Sequence, residues 1–351
     1  MATTSIKEVA REAGVSVGTV SNVLNRPDQV APATRQRVQE AIALLGFVRN
    51  ESARQLRAGR SRTIGMVVLD VANPFFTDVA RGAEDVADAN DMLVMLCNTD
   101  EDADREDRQL AMLVQQQVLG VLITRVNRSS VSLEAFDVRG IPVVMVDSRA
   151  DRRTRCSVAV NDVLGGRLAV THLLEQGHTR VAFVGGPRSI PQVSDRLKGA
   201  KAAIAAATTD ARLEVVATPS LTVAAGREAA ERIAGMPLST RPTGVVCAND
   251  LIALGVLQEM TRRSISVPRD VAIVGYDDID FAAAAAVPLS SVRQPRELLG
   301  RTAAELLLDE VNDPDGHSHR QVVFEPELVV RESSDHLRGR SGRRRRSEAA
   351  S

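Results

Sequence analysis

The sequence predicts an all-α N-terminal head, a helix-turn-helix with a hinge helix behind it, followed by an α/β body of two lobes. Three observations carry that prediction. Apolar residues recur at helical spacing in two short segments between Ile6 and Asn25. From Thr63 onward, strand-like apolar runs alternate with amphipathic helical ones. The alternation lasts about 270 residues, which is long for one doubly wound sheet and suits two.

In the head, Ile6, Val9, Ala10 and Ala13 line one face of the first helix, with Ser5 in the N-cap position. Gly14 supplies a sharp turn, and Ser16 is placed to cap the second helix. There Val20, Val23 and Leu24 turn inward, leaving Val17, Gly18, Ser21, Asn22 and Asn25 on the outer face. A face of small and amide side chains costs little to desolvate and fits a DNA major groove. A third helix has the stripe Val38, Ala41, Ile42 and Leu45, with Pro32 at its start and Gly46 at its end. Behind it, residues 50–59 (NESARQLRAG) form a two-turn helix whose one large apolar residue is Leu56. So short a helix is marginal in water, and a lone leucine suits a wedge between minor-groove base steps.

In the body the expected strands are Ile64–Leu69, Leu93–Cys97, Val121–Thr124, Pro142–Val146, Val181–Val184, Val215–Ala217, Gly244–Cys247 and Ala272–Val274. Helices are expected at Phe75–Ala89, Val163–Glu175 and Leu251–Met260. Apolar strands alternating with helices imply parallel sheets covered on both faces. The polar run Asp147–Ser157 is the expected passage from the first lobe to the second. Four segments are thus expected: the head at 1–49, hinge helix and linker at 50–61, the two-lobed body at 62–334, and a disordered basic tail at 335–351.

Composition narrows the class. The net charge is −1, yet residues 1–60 carry nine Lys+Arg against five Asp+Glu, and residues 331–351 carry seven against three. Basic ends on an acidic body fit a polyanion-binding head whose body does not adhere to DNA. The N-terminus has no apolar signal region and the chain no long apolar run, so a cytoplasmic location is expected, with no membrane partner. Cys97, Cys156 and Cys247 have unrelated spacings, which argues against a disulfide framework or a zinc site. His317 and His319 are read as a solvated loop, so no metal and no cofactor are expected. No phosphate loop, dinucleotide fingerprint or activated nucleophile is present, which argues against an enzyme.

Ligands of doubly wound folds bind beyond the carboxyl ends of the strands. Those ends present Asn73, Phe75 and Phe76, then Asp147 and Arg149, then Asn249 and Asp250, then Asp277 and Asp278. Carboxylates, amides and guanidinium groups bind vicinal hydroxyls in pairs, and an aromatic face covers C–H patches, so the set suits a sugar.

The ordered motifs IKEVAREAGVSVGTVSNVLN, NESARQLRAG, NPFF, SDRLKG, CANDLIALG, VAIVGYDDID and ELVVRESS resemble the lac repressor family of bacterial transcription regulators, from Ser5 to about Ser333. The resemblance implies two lobes like those of periplasmic sugar-binding proteins, joined by crossovers around a cleft. It implies effector contacts at Asn73, Phe75, Phe76, Asp147, Arg196, Asn249, Asp277 and Gln294, to which the strand-end reading adds Arg149. DNA contacts are expected at Ser5, Ser16, Val17, Gly18, Thr19, Ser21, Asn22 and Asn25, and in the hinge at Asn50, Ala53, Arg54 and Leu56. Two departures stand out. Relatives often place arginine directly after the fourth-strand aspartate, where here Ser148 intervenes before Arg149. Some carry an aromatic where this chain reads Pro219-Ser220-Leu221.

The resulting expectation is a repressor that binds near-palindromic operator DNA as a homodimer, with a tetramer not excluded, under control of a small effector, foremost a carbohydrate. A transport-type sugar-binding protein would lack the head, and a regulator of nucleotide or other metabolism would take a non-sugar effector. Arg196 and Asp277 are expected to be separable from folding, so that truncating either abolishes the effector response and leaves operator binding intact.

Overall fold

The computed structural model describes residues 4–47, 61–126, 133–150 and 154–335. They fall into two compact units, one within Met1–Ser61 and one within Arg62–Ser351. The hinge residues Asn50, Ala53, Arg54 and Leu56 and the tail beyond Asp335 lie outside the described residues.

Among its described residues the head holds three α-helices, α1 (Ile6–Glu12), α2 (Val17–Asn25) and α3 (Pro32–Leu45), with a short 3-10 turn at Pro27–Gln29. Glu8 Oε2 accepts the Ser5 backbone N–H at 2.6 Å at the start of α1. The Ser16 hydroxyl accepts the Thr19 N–H at 3.1 Å at the start of α2, satisfying an amide that has no partner within the helix. Gly14 and Gly46 stand at φ of 64° and 58°, the left-handed conformation that lets the chain turn sharply after α1 and end α3. The core comprises Val9, Ala10, Ala13, Val20, Val23, Val38 and Ala41, with Ile6, Leu24, Ile42 and Leu45 packed around it. Every inward-facing position expected of the three helices is therefore in that core or against it.

The body holds two six-stranded sheets. The first has the order β11-β5-β4-β3-β1-β2, from β1 (Thr63–Val68), β2 (Leu93–Asn98), β3 (Gly120–Ile123), β4 (Val143–Val146), β5 (Ser157–Val160) and β11 (Gln321–Phe324). The second has the order β12-β10-β9-β8-β6-β7, from β6 (Arg180–Val184), β7 (Arg212–Val216), β8 (Gly244–Cys247), β9 (Ala272–Asp277), β10 (Ser290–Arg293) and β12 (Glu327–Val329). Pairing is parallel throughout except for β10 with β12. Helices α4 (Pro74–Asp88), α5 (Ala103–Gln115), α6 (Glu134–Val138) and α12 (Arg296–Asn312) belong to the first lobe. Helices α7 (Asp162–Glu175), α8 (Pro191–Ala205), α9 (Val223–Ala234), α10 (Asp250–Arg262) and α11 (Asp280–Ala284) belong to the second.

The chain passes between the lobes three times, after β5, after β10 and after β11. This corrects the expected passage at Asp147–Ser157. The chain returns from that polar run into the first sheet, where β5 pairs with β4 through Met145 with Ser157 and Val146 with Val158. Strand β10 reads as polar, yet Ser290 and Ser291 are buried, with Ser291 Oγ donating to Asp250 at 2.7 Å and the Ser290 N–H donating to Ser333 Oγ at 2.8 Å. The loop bearing His317 and His319 is also unlike its expectation: His317 Nε2 lies 3.1 Å from the sulfur of buried Cys156.

Three helix pairs cross at reciprocal glycines. A Cβ on Gly199 of α8 would lie 1.9 Å from the Val163 carbonyl oxygen of α7, and one on Gly166 of α7 would lie 2.0 Å from that of Arg196. Gly82 with Gly300 joins α4 to α12 in this way, and Gly226 with Gly255 joins α9 to α10. Backbone cannot yield as a side-chain tip can, so a methyl group here must push two helices apart. Gly199→Ala is expected to lower unfolding stability by about 1–3 kcal/mol. Urea unfolding checks it, and a midpoint equal to the parent's would show that the α7–α8 contact is adjustable.

Candidate functional site

Two surfaces were singled out by the sequence, one in each unit. In the head, Ser5, Ser16, Val17, Gly18, Asn22 and Asn25 are exposed, with Thr19 and Ser21 half-buried. Val17 is 38% exposed, an apolar side chain left facing water. Some of these groups are already engaged: Asn25 Nδ2 donates to the Ser21 carbonyl at 2.8 Å, and the Ser16 and Thr19 hydroxyls meet at 2.9 Å. Asn22 is exposed and lies at helical spacing from Val17 and Gly18, on the same face of α2.

In the body, polar groups converge at the carboxyl ends of the strands. Asn73 follows β1, and its Oδ1 caps α4 by accepting the Phe75 N–H at 3.1 Å. Its Nδ2 donates to Asp277 Oδ2 at 3.3 Å, joining the first lobe to the second. Asp277 ends β9 and takes a second hydrogen bond from Gln294 Nε2 at 2.7 Å. Arg196 of α8 donates through Nε to Asp162 Oδ1 at 2.7 Å and through Nη1 to the Ala248 carbonyl at 2.6 Å. Its Nη1 also lies 3.7 Å from Asp277 Oδ1, and its guanidinium carbon is 3.6 Å above the centre of the Tyr276 ring. Asp147 follows β4, and its Oδ2 accepts from Gln192 Nε2 of α8 at 3.1 Å. Asn249 is buried with its side chain turned to structure, capping α10 through Ile252 N–H at 2.9 Å and donating to the Leu221 carbonyl at 3.0 Å.

The charges are unbalanced. Asp147, Asp162 and Asp277 share Arg196, and all four are buried. Burial opposes the charge on Arg196, but Asp162, Tyr276, Asp277 and Asp147 together raise its pKa above the ordinary arginine value. Burial, then the charge of Asp162, holds the Asp147 carboxyl well above the usual range. Burial brings Asp277 up to about 6, against the opposing pull of Arg196, Asn73 and Gln294. Asp278 is a different case: burial would raise it, but hydrogen bonds from Arg331 at 2.6 Å and Arg293 at 2.7 Å hold it low. Asp147 and Asp277 stand at φ of 52° and 103°, a backbone that costs about 1–3 kcal/mol for a non-glycine residue and gathers at functional sites.

Of the sequence-derived residues, Asn73, Asp147, Arg196, Asn249, Asp277 and Gln294 are buried at these strand ends. Phe75 and Phe76 are buried beside them, edge to face with ring centres 5.0 Å apart. Arg149 is exposed and outside the hydrogen-bonded set, because the chain has turned away after Ser148. The expectation that Arg196 is separable from folding also needs correction. Removing it leaves Asp162 and Asp277 facing each other without a counter-charge, a loss of about 3–5 kcal/mol for broken buried pairs. Sequence reasoning missed Asp162, Tyr276, Gln192 and Glu101. Gln192 carried a signal, since it lies four residues before Arg196 on the same helical face. Glu101 reaches across the lobes, its Oε1 accepting the Leu221 N–H at 3.2 Å.

A helix-turn-helix head on a two-lobed, polar-clefted α/β body defines the class of ligand-responsive DNA-binding regulators. Residues 5–50 match the family of bacterial regulatory proteins called lacI, and residues 170–334 match the periplasmic binding protein-like domain. The HTH-type transcriptional repressor PurR of Aliivibrio fischeri strain MJ11 is 34% identical over 94% of this chain and 98% of its own. The structure of a CelR–cellobiose complex is 31% identical, covers 94% of this chain and 99% of its own, and has a TM-score of 0.69. A ribose-bound LacI family regulator from Enterococcus faecium is 29% identical over 78% of this chain and 99% of its own, with a TM-score of 0.70. The lac repressor dimer bound to operator shares the fold at a TM-score of 0.80.

The chain therefore belongs to the lacI family, whose members are effector-controlled, DNA-binding transcription regulators and not enzymes. No helix among the described residues is long and apolar enough to cross a membrane.

Glu101 gives the body a pH dependence. Burial raises its pKa from 4.5 to about 7, with the Leu221 N–H opposing and Asp70 and Asp100 reinforcing. Between those values the folded state binds more protons than the unfolded chain, so stability falls as pH rises from about 4.5 to about 7. Glu101→Gln keeps the acceptor for Leu221 and removes the titration. Its unfolding free energy is expected to decline less over that window than the parent's, and parallel pH profiles would remove Glu101 as the source.

Proposed function

We propose that this chain is a cytoplasmic, homodimeric repressor whose heads read the two halves of a near-palindromic operator, and whose body binds a neutral, hydroxyl-rich effector, foremost a sugar. One observation carries the effector class. The buried side-chain oxygens Asp147 Oδ1, Gln192 Oε1 and Gln294 Oε1 accept no hydrogen bond, in a cluster already short of positive charge. Each amide's orientation follows from its Nε2 donating to an aspartate, so the free atom is an acceptor. Such a site calls for donors and repels anions, and a polyol supplies donors in adjacent pairs. Ribose and cellobiose in the structures of similar proteins support the same class. The PurR relatives keep a non-sugar effector as the second reading.

A homodimer is supported by the edge strand β2, which leaves Leu93 at 72% and Met95 and Leu96 at 42% exposure. Apolar side chains on an unpaired sheet edge favour burial against a second copy. A two-fold dimer then matches a two-fold operator.

Calorimetric titration of the full chain with ribose, cellobiose and a purine base, with operator binding followed in parallel, tests the effector class. A sugar is expected to bind and shift operator affinity, and Asp147→Asn, which turns an acceptor into a donor, to weaken that sugar by about 5–150-fold. Response to the purine base alone would establish the second reading.

Asn22 tests the operator interface. An asparagine amide pairs with adenine N6 and N7, so Asn22→Ala is expected to cost about 1–3 kcal/mol and relax preference at one position per half-site. Selection of binding sites from random DNA checks this, and a preference identical to the parent's would remove Asn22 from base readout.

A further inference from the structure

Away from the cleft, four donor side chains from three stretches of the first lobe meet at one point. Cys156 immediately precedes β5, Glu310 lies in the last turn of α12, and His317 and His319 come from the connection between α12 and β11. Their donor atoms all lie within 4.8 Å of one another. Cys156 Sγ is 3.1 Å from His317 Nε2 and 4.0 Å from His319 Nδ1. Glu310 Oε2 is 3.8 Å from each of those nitrogens.

We propose that Cys156, Glu310, His317 and His319 form a four-coordinate binding site for zinc. Zn–S of ~2.3 Å and Zn–N or Zn–O of ~2.0–2.1 Å at tetrahedral angles place neighbouring donors about 3.3–3.6 Å apart, and the four separations above bracket that range. A thiolate, two imidazoles and one carboxylate are a zinc set, whereas magnesium and calcium take oxygen alone. A sulfur–imidazole hydrogen bond would explain Cys156 with one histidine. It would not explain why the second ring aims its nitrogen at the same point, or why Glu310 Oε2 is buried there without accepting a hydrogen bond. The surroundings suit a metal-bound thiolate: the Arg320 backbone N–H donates to Cys156 Sγ at 3.3 Å, as outer-shell donors to ligating groups do. The turn that brings the histidines in is itself fixed, with His317 N–H on the Asp313 carbonyl at 2.9 Å and Gly316 N–H on Asp313 Oδ1 at 3.1 Å.

With all four positions taken by protein, the site is of the closed, structural kind. Zinc would fasten the end of α12 to the start of the β5–β11 pair, whose first rung is the Ser157 N–H on the Arg320 carbonyl at 2.9 Å. Both strands lead directly into lobe crossings.

Untagged full-length protein, stripped with chelator and dialysed, is titrated with Co2+ as a spectroscopic probe and with Zn2+ against a chromophoric competitor. One metal per chain is expected, with the intense visible bands of tetrahedral cobalt and a thiolate-to-cobalt charge-transfer band. Cys156→Ser should abolish the charge-transfer band. His319→Ala, at a ring that is partly exposed, should keep the metal-free fold and weaken Zn2+ by at least about tenfold. Zn2+ should raise the unfolding temperature of the parent and not of His319→Ala. Weak octahedral cobalt bands, no uptake in competition, or equal uptake by parent and both variants would overturn the site.

Discussion

Arg196 brings one positive charge into a buried region that holds three carboxylates, and the strand ends of the second lobe are arranged around it. Its Nε meets Asp162 at the start of α7, its Nη1 meets the Ala248 carbonyl beyond β8, and its plane covers Tyr276 of β9. One side chain thereby fixes the ends of two strands and one helix relative to each other. Ions are costly to bury, so such a group is tolerated only where its donors are nearly all matched. The match depends on helix spacing: the Arg196 backbone can lie against α7 only because Gly166 has no Cβ there. Local sequence choice, helix packing and electrostatics therefore act at the same residue.

That arrangement bears on how an effector could act. Hydrogen bonds that pair a group of one lobe with a group of the other include those of Asn73 with Asp277, Gln192 with Asp147, and Glu101 with the Leu221 amide. The first two use the same aspartates that stand on positive-φ backbone at the strand ends. A ligand bound there competes with, or completes, the bonds that set the lobes against each other. This is the differential interaction that any effector needs, since a ligand with equal affinity for two arrangements shifts neither.

Much of this was legible in the sequence, for identifiable reasons. The head reads well because its helices carry clean apolar stripes, such as Val20 and Val23 of α2, with a capping Ser16 before α2 and the left-handed glycines Gly14 after α1 and Gly46 at the end of α3. The eight expected strands also read, although Val215–Ala217 catches only the end of β7 (Arg212–Val216). Strands β5, β10, β11 and β12 did not: β10 opens on two serines, and β5 and β11 find each other only across the rest of the body, Ser157 beside Gln321. Ser290 and Ser291 look like loop residues until Ser333 and Asp250 are placed beside them. In the cleft, residues at strand ends were visible from topology alone. Arg149 stands exposed, outside the buried hydrogen-bonded set that gathers the other strand-end residues. Asp162 was hidden behind the unread β5, and the Cys156 cluster was hidden because Cys156 lies more than 150 residues from the other three members.

The chemistry of the cleft also limits which small molecules it can admit. An anionic effector would add charge to a set in which burial already holds Asp147 well above its usual range and Asp277 near 6. Arg196 covers one face of the Tyr276 ring, so that face is closed to a stacking base. Hydroxyl groups need neither added charge nor that face. Each can donate to Asp147, Gln192 or Gln294 while accepting from elsewhere, and donation to a carboxylate favours its ionised form. Binding such a ligand would draw Asp147 toward ionisation, so its affinity should strengthen as pH rises, opposite in sign to the loss of fold stability that Glu101 imposes.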